Sequence, residues 1–324
     1  MLRPIPLALL TLYSDLAQRA RLSGRGGAIY RRTLAGASYL YAKVPVAGTR
    51  RDVFLGREDE DEAQLKAETL RRESESARER RASVRMLRQR GMRGPDAWLG
   101  KVLDAVADAG LFEKGVTLVG TGAYQLMEPL VAHYLPDTAL VTGDVDLVTA
   151  DLALRAETGE SMEAILKRAD PDVIGIPELD PRSFPSGFKG KDIFVDLLTP
   201  VLRRSDTGPM PLAQLSAAAT PPAYLRWLTE ETVDALALWG AGIPVRIPAP
   251  ARYAVHKLIL AQRRNPTSRD KRFKDLAQAG ALVEVLAKAD PFALEDALAD
   301  ARGQGGRGWS QPIARSLKEL GLDL

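Results

Sequence analysis

Apolar positions recur at helical spacing through residues 1–22, and the turn sequence SGRGG (23–27) ends that run, so the chain is expected to open on an amphipathic helix. From Ala28 to Gly56 apolar and polar residues alternate. Turn signals at Ala35–Gly36 and Ala47–Gly48 divide the stretch into three short antiparallel strands. A charged segment, 58–93, predicts a solvated helix. GMRGPDAW breaks it, and a further helix runs from about 96 to 110. Next comes LVGTGAYQLM (118–127): a strand-like apolar run, two glycines two apart, and a helix expected over 123–134. Three short strands then alternate with helices or loops to about 205, and residues 220–250 suggest a helix and a short strand. From Pro250 the pattern is helical almost to the end, interrupted by ARGQGGRGW (301–309). The pattern predicts an α/β (α+β) fold in three parts. Residues 1–95 form the helix, small antiparallel sheet and charged helix; 96–210 form a small mixed-sheet core; 211–324 form a mainly helical domain.

Composition narrows the chemistry. The 324 residues are 45% apolar and 27% charged, ordinary for a globular protein, and no stretch approaches the ~20 apolar residues of a membrane helix. The apolar start runs directly into Ser14, Asp15, Gln18 and Arg19 with no small-residue cleavage site, which favours a helix over a signal peptide and a cytoplasmic location. The absence of cysteine removes disulfides and thiolate metal sites; with only His133 and His256, a histidine-rich zinc site is also excluded. Both histidines read as structural. The net charge is only +3, but residues 64–93 hold ten Lys or Arg against four Glu. Interleaved Glu favours a solvated, ion-paired helix there over a phosphate-tracking face. Tyr30, Tyr39 and Tyr41 among Arg31, Arg32, Lys43, Arg50 and Arg51 fit either an ordinary small sheet or one that stacks bases.

The turn GTGAYQ is ambiguous alone. As a dinucleotide fingerprint it has Gly120 and Gly122, but Gln125 stands where the third glycine belongs; as a P-loop it lacks the Lys-Ser or Lys-Thr. The downstream run LVTGDVDLVTA (140–150) decides between readings. Asp144 and Asp146 are two apart in an expected strand, so both carboxylates point to one side, roughly 6–7 Å apart. Flanked by Leu140, Val141, Val145, Leu147 and Val148, they repel one another unless a hard divalent cation lies between them. Asp196 is embedded in a second apolar strand, KDIFVDLLTP (191–200), where an unpaired carboxylate is costly. Three aspartates on neighbouring strands beside a glycine turn make a plausible two-metal site, with backbone N–H groups available to phosphates.

In order, GTGA (120–123), TGDVDL (142–147), VDLLTP (195–200), HKLILAQRR (256–264) and KDLAQAGAL (274–282) resemble the nucleotidyltransferases of the DNA polymerase β superfamily, in particular bacterial stand-alone members. The resemblance spans roughly 115–285, with Thr121 where that superfamily often has Ser. It implies a nucleotidyltransferase core in which Asp144, Asp146 and Asp196 hold Mg²⁺ (or Mn²⁺) and perform the transfer, Asp196 also taking the proton of the acceptor hydroxyl. Gly120, Thr121, Gly122, Lys257, Arg264, Lys271 and Lys274 would bind the NTP; Lys257, set among Val255, Leu258 and Ile259, needs an anionic partner. The implied reaction moves an NMP from an NTP to an acceptor hydroxyl. The basic, tyrosine-bearing N-terminal segment points to RNA such as tRNA, with a protein or small molecule as the other acceptors. A toxin or defence role, with an antitoxin partner, is a further implication. The competing expectations are a non-catalytic nucleic-acid-binding or regulatory protein of the same fold, and a dinucleotide-binding oxidoreductase resting on Gly-x-Gly alone.

Overall fold

The structure, a computed structural model, describes residues 2–137, 143–180, 182–201, 208–265 and 267–323. Helix α1 (Leu7–Leu22) is followed by strands β1 (Ala28–Leu34), β2 (Ala37–Val46) and β3 (Thr49–Arg57), then α2 (Asp61–Gln89) and α3 (Ala97–Asp108). The three strands pair antiparallel in chain order, as their alternation predicts. Both hairpin turns have positive φ at each central residue, Ala35–Gly36 and Ala47–Gly48, the geometry that matches strand twist. Leu40, Ala42, Val44 and Val46 face the core, while Tyr39, Tyr41 and Lys43 stay on the outer face.

The central part contains β4 (Thr117–Val119), α4 (Gly120–Tyr124), β5 (Asp144–Val148), α5 (Met162–Lys167), β6 (Ile174–Gly175), β7 (Gly187–Lys189) and β8 (Phe194–Leu198). After it come β9 (Met210–Leu212), β10 (Ala217–Ala219), α6 (Leu225–Thr229), β11 (Thr232–Ala237) and β12 (Ile243–Pro248). The chain then continues through α7 (Pro250–Ala261), α8 (Arg269–Ala289), α9 (Pro291–Gly303) and α10 (Gln311–Leu320). Seven strands form one mixed sheet in the order β11-β12-β4-β5-β8-β7-β6. It is parallel at β12–β4 and β5–β8 and antiparallel elsewhere, so the fold is α+β.

Two local expectations change. The helix expected over 123–134 is a single turn, Gly120–Tyr124, followed by turns. Pro129 supplies no N–H to continue it, and the buried Glu128 carboxylate instead accepts from the backbone N–H groups of Leu135 (3.0 Å) and Arg93 (3.3 Å). Where a helix and one short strand were expected, there are a helix and two strands. Thr232–Ala237 has no strong strand composition but gains a full antiparallel register with Ile243–Pro248. Residues Leu140 and Val141 of the expected 140–150 strand lie outside the described residues; the described part is a strand from Asp144.

One continuous core joins the inner face of the N-terminal sheet, α3, the central sheet and the C-terminal helices. A smaller cluster of Tyr13, Leu16, Val84, Leu87, Leu236 and Leu238 seats α1 and α2 on β11. The buried Tyr13 hydroxyl accepts from the Leu236 N–H at 2.8 Å, and burial raises its pKa to about 12.

Candidate active site

Alternation in DVDLV and FVDLL divides each strand between two environments. Val145, Leu147, Val195 and Leu197 are buried, whereas Asp144, Asp146 and Asp196 are only partly so. In the parallel β5–β8 pair Asp146 lies directly beside Asp196, with Asp144 two residues along, so the three carboxylates share one face. Burial first, then Asp146 and Asp144, raises the Asp196 carboxyl from 3.8 to about 6. The Asp146 carboxyl is also raised: burial and Asp144 outweigh the lowering by Lys257, Lys271 and Lys274. Mutual repulsion of this kind marks a site that favours a cation.

The glycine turn is shaped around this acid pair. Val119 is the cross-strand partner of Asp146, and Gly120 follows with φ +64°. A Cβ at Gly120 would collide with the Asp146 carboxylate, so both the backbone conformation and the space require glycine. On the other flank Gly187 pairs with Asp196, and a Cβ there would stand 3.2 Å from Asp196 Oδ1. The turn is held from the C-terminal helices. The Tyr253 hydroxyl on α7 donates to the Gly120 carbonyl at 2.9 Å and lies 2.9 Å from Gln278 Oε1; Gln278 Nε2 on α8 donates to Thr121 Oγ1 at 3.4 Å. Thr121 is buried and its hydroxyl faces Gln278, and Gly122 packs against Leu118, so both serve the turn in this arrangement.

The sequence-derived cations divide into two groups. Lys271 reaches Asp144 at 4.0 Å near the surface, and Lys274 lies within electrostatic range of Asp144 and Asp146. Burial and Lys257 lower the Lys274 pKa. Lys257 and Arg264 are instead committed to Asp275, at 2.6 and 2.8 Å. Asp275 is fully buried, which alone would raise its carboxyl, but Lys257 and Arg264 bring it below the ordinary value. The anionic partner required by Lys257 is therefore Asp275, one shell behind the aspartates. His256 is buried, and burial and Lys257 lower its pKa to about 3, so it is neutral. His133 bonds the Val131 carbonyl through Nδ1 at 2.9 Å and bridges to Pro4, a structural role.

Tyr253, Asp275 and Gln278 support the site; Asp275 and Gln278 lie in the KDLAQAGAL motif, where the sequence assigns them no role, and Tyr253 lies outside the motifs. Their signal is present but weak: Asp275 and Gln278 fall on the buried stripe of α8 with Ala279 and Leu282, where polar side chains need partners.

Among the described residues no three acidic or histidine side chains are already gathered closely enough to hold a metal ion by themselves. The donor set still suits Mg²⁺, a hard cation commonly bound by one or two carboxylates together with substrate phosphates. Asp144, Asp146 and Asp196 would hold it. Among the described residues no helix is long and apolar enough to cross a membrane.

No curated protein and no solved structure matches the chain. Residues 98–303, more than half of it, match the nucleotidyltransferase family; this stretch includes the glycine turn, all three aspartates and both helices that brace them. The chain belongs to the nucleotidyltransferase family, and nucleotidyl transfer from an NTP is its reaction class.

Proposed function

We propose that the protein is a metal-dependent nucleotidyltransferase of the DNA polymerase β type that moves an NMP from an NTP to a hydroxyl of RNA. The observation that carries this reading is the register that sets Asp146 beside Asp196, with Asp144 on the same face and Gly120 opened to receive Asp146. A divalent cation bound there supplies charge neutralisation at the phosphates and a more acidic acceptor hydroxyl. Asp144 and Asp146 orient the triphosphate, and Lys271 and Lys274 offset its charge. Asp196, its carboxyl raised to about 6, is suited to take the proton of the acceptor hydroxyl as the α-phosphate is attacked in line and pyrophosphate leaves.

RNA is favoured as acceptor by the outer face of the N-terminal sheet. Tyr30 and Tyr41 stack with centroids 5.6 Å apart, Phe54 is 57% exposed beside Tyr41, and Lys43 lies over Tyr30 at 5.3 Å. Such a cationic, aromatic surface suits unpaired bases. The test is incubation with each α-labelled NTP, Mg²⁺ and total RNA or total protein, resolved on a gel. Label is expected in RNA, reduced by at least about 10²–10³-fold in Asp144→Ala or Asp146→Ala. Label in protein alone would remove RNA as acceptor; no label in any pool would remove the reading.

A further inference from the structure

A cleft of about 740 Å³ separates α1 and α2 from the β2–β3 turn and from the Trp239–Gly242 turn between β11 and β12. Six arginines line it, Arg21, Arg25, Arg80, Arg81, Arg85 and Arg88, against two carboxylates, Asp104 and Glu113. Arg21 pairs with Asp234 at 3.4 Å, and Arg25 pairs with Asp104. Arg81, Arg85 and Arg88 form no ion pair among the described residues. Arg80 is only 2% exposed. Its Nη atoms donate to the carbonyls of Ala241 (3.4 Å) and Gly24 (2.5 Å), and its buried Nε has no partner. Glu73 is the acidic group that offsets Arg80, against Arg19, Arg25 and Arg81, and this local excess of buried positive charge calls for a further anion.

The arrangement of charge distinguishes the kind of anion. A lone phosphate gathers guanidiniums about one point. Here Arg81, Arg85 and Arg88 stand at i, i+4 and i+7 along one side of α2, a row of about 10 Å at 1.5 Å per residue. A row matches a chain of phosphates. Trp239, half-buried on the cleft wall, packs so closely on Gly100 that a Cβ there would collide with the indole, which holds in place beside the arginine row a ring of the kind on which bases stack. The cleft also lies along the sheet from the aspartates. Strand β12 runs parallel to β4 with Arg246 beside Thr117, so the cleft is at the start of β12 and the Gly120 turn lies beyond its end. The separation is roughly 20 Å at about 3.3 Å per residue.

We propose that this arginine cleft binds the phosphodiester backbone of the RNA acceptor, upstream of the end that reacts. The inference rests on RNA being the acceptor. Its test is a fluorescence-anisotropy titration of a short labelled single-stranded RNA with the full chain, without NTP and in EDTA, over a range of salt. The variant is Arg81→Gln/Arg85→Gln/Arg88→Gln. The charge-matched control is Arg71→Gln/Arg72→Gln/Arg78→Gln, on the same helix but outside the cleft, with thermal melts verifying that both fold. The cleft variant is expected to bind at least tenfold more weakly, with the slope of log K against log salt reduced by about 2, near 0.7 for each lost contact on a single strand. The control is expected to change little. Equal losses in both variants, or none in either, would overturn the proposal. A transfer assay on the same RNA separates the two readings. Dependence of binding on the cleft without any transfer would sink RNA as acceptor while leaving a backbone site. Transfer with an unaltered RNA KM in the cleft variant would sink the cleft while leaving the acceptor.

Discussion

At the scale of single residues, Asp146 and Asp196 in their ionised form oppose the stability of the protein that carries them. Asp196 has its carboxyl raised to about 6 against 3.8 in an unfolded chain, so its favourable contribution exists below pH 4 and is lost as pH rises through 6. At pH 7 the metal-free protein therefore bears the full cost of ionising it, about 1–3 kcal/mol. Asp196→Asn is expected to raise the melting temperature in EDTA at pH 7 while abolishing transfer, and the gain is expected to disappear below pH 4. Melts of both proteins at the two pH values check this, and equal melting temperatures at pH 7 would contradict it. Asp144, Asp146 and Asp196 were legible in the sequence because carboxylates in otherwise apolar strands stand out. The role of Gly120 in clearing space for Asp146 was not: it depends on a cross-strand neighbour 26 positions away, and the sequence alone showed only a glycine turn.

At the scale of elements, α7 and α8 brace the glycine turn through Tyr253 and Gln278, and α8 also presents Lys271 and Lys274 to the aspartates. In sequence Lys257 stands out as a cation in need of an anion, for which a triphosphate or one of the aspartates would serve. The partner, Asp275, sits on the neighbouring helix and is wholly buried. Lys257→Met would leave the Asp275 charge buried with only the partly exposed Arg264, and is expected to cost about 3–5 kcal/mol in urea unfolding. Adding Asp275→Leu to Lys257→Met is expected to recover much of that loss, because the stranded charge is gone. A double variant no more stable than the single one would show that the pair is not what the brace rests on. The shortened helix after Tyr124 has the same kind of cause: Glu128 finds its partners in Arg93 and Leu135, and no local periodicity announces them.

At the scale of the whole molecule, hydrophobic alternation foretold the N-terminal sheet, the long charged helix and the helical C-terminal part. It did not reveal that β11 and β12 extend the sheet bearing the aspartates, since strand order is a matter of pairing across the chain. Linkage offers a global measure of the site. Mg²⁺ with an NTP is expected to raise the melting temperature of the unaltered protein progressively with concentration, by RT ln(1 + [L]/Kd), or about 2.7 kcal/mol at a hundredfold excess over Kd. Asp146→Asn is expected to show no such rise; an equal rise in both would place the ligand elsewhere. The hydrogen bonds from Tyr253 and Gln278 to the Gly120–Thr121 turn span 133 and 157 positions of sequence. During synthesis the interval from Asp196 to Gln278 lasts roughly 4–16 s at about 5–20 residues per second. A nascent chain thus exposes Asp144, Asp146 and Asp196 well before it owns the residues that fix the turn beside them. If these aspartates carry the transfer as proposed, activity is expected only once the last third has folded, and a chain terminated before Tyr253 is expected to be inert.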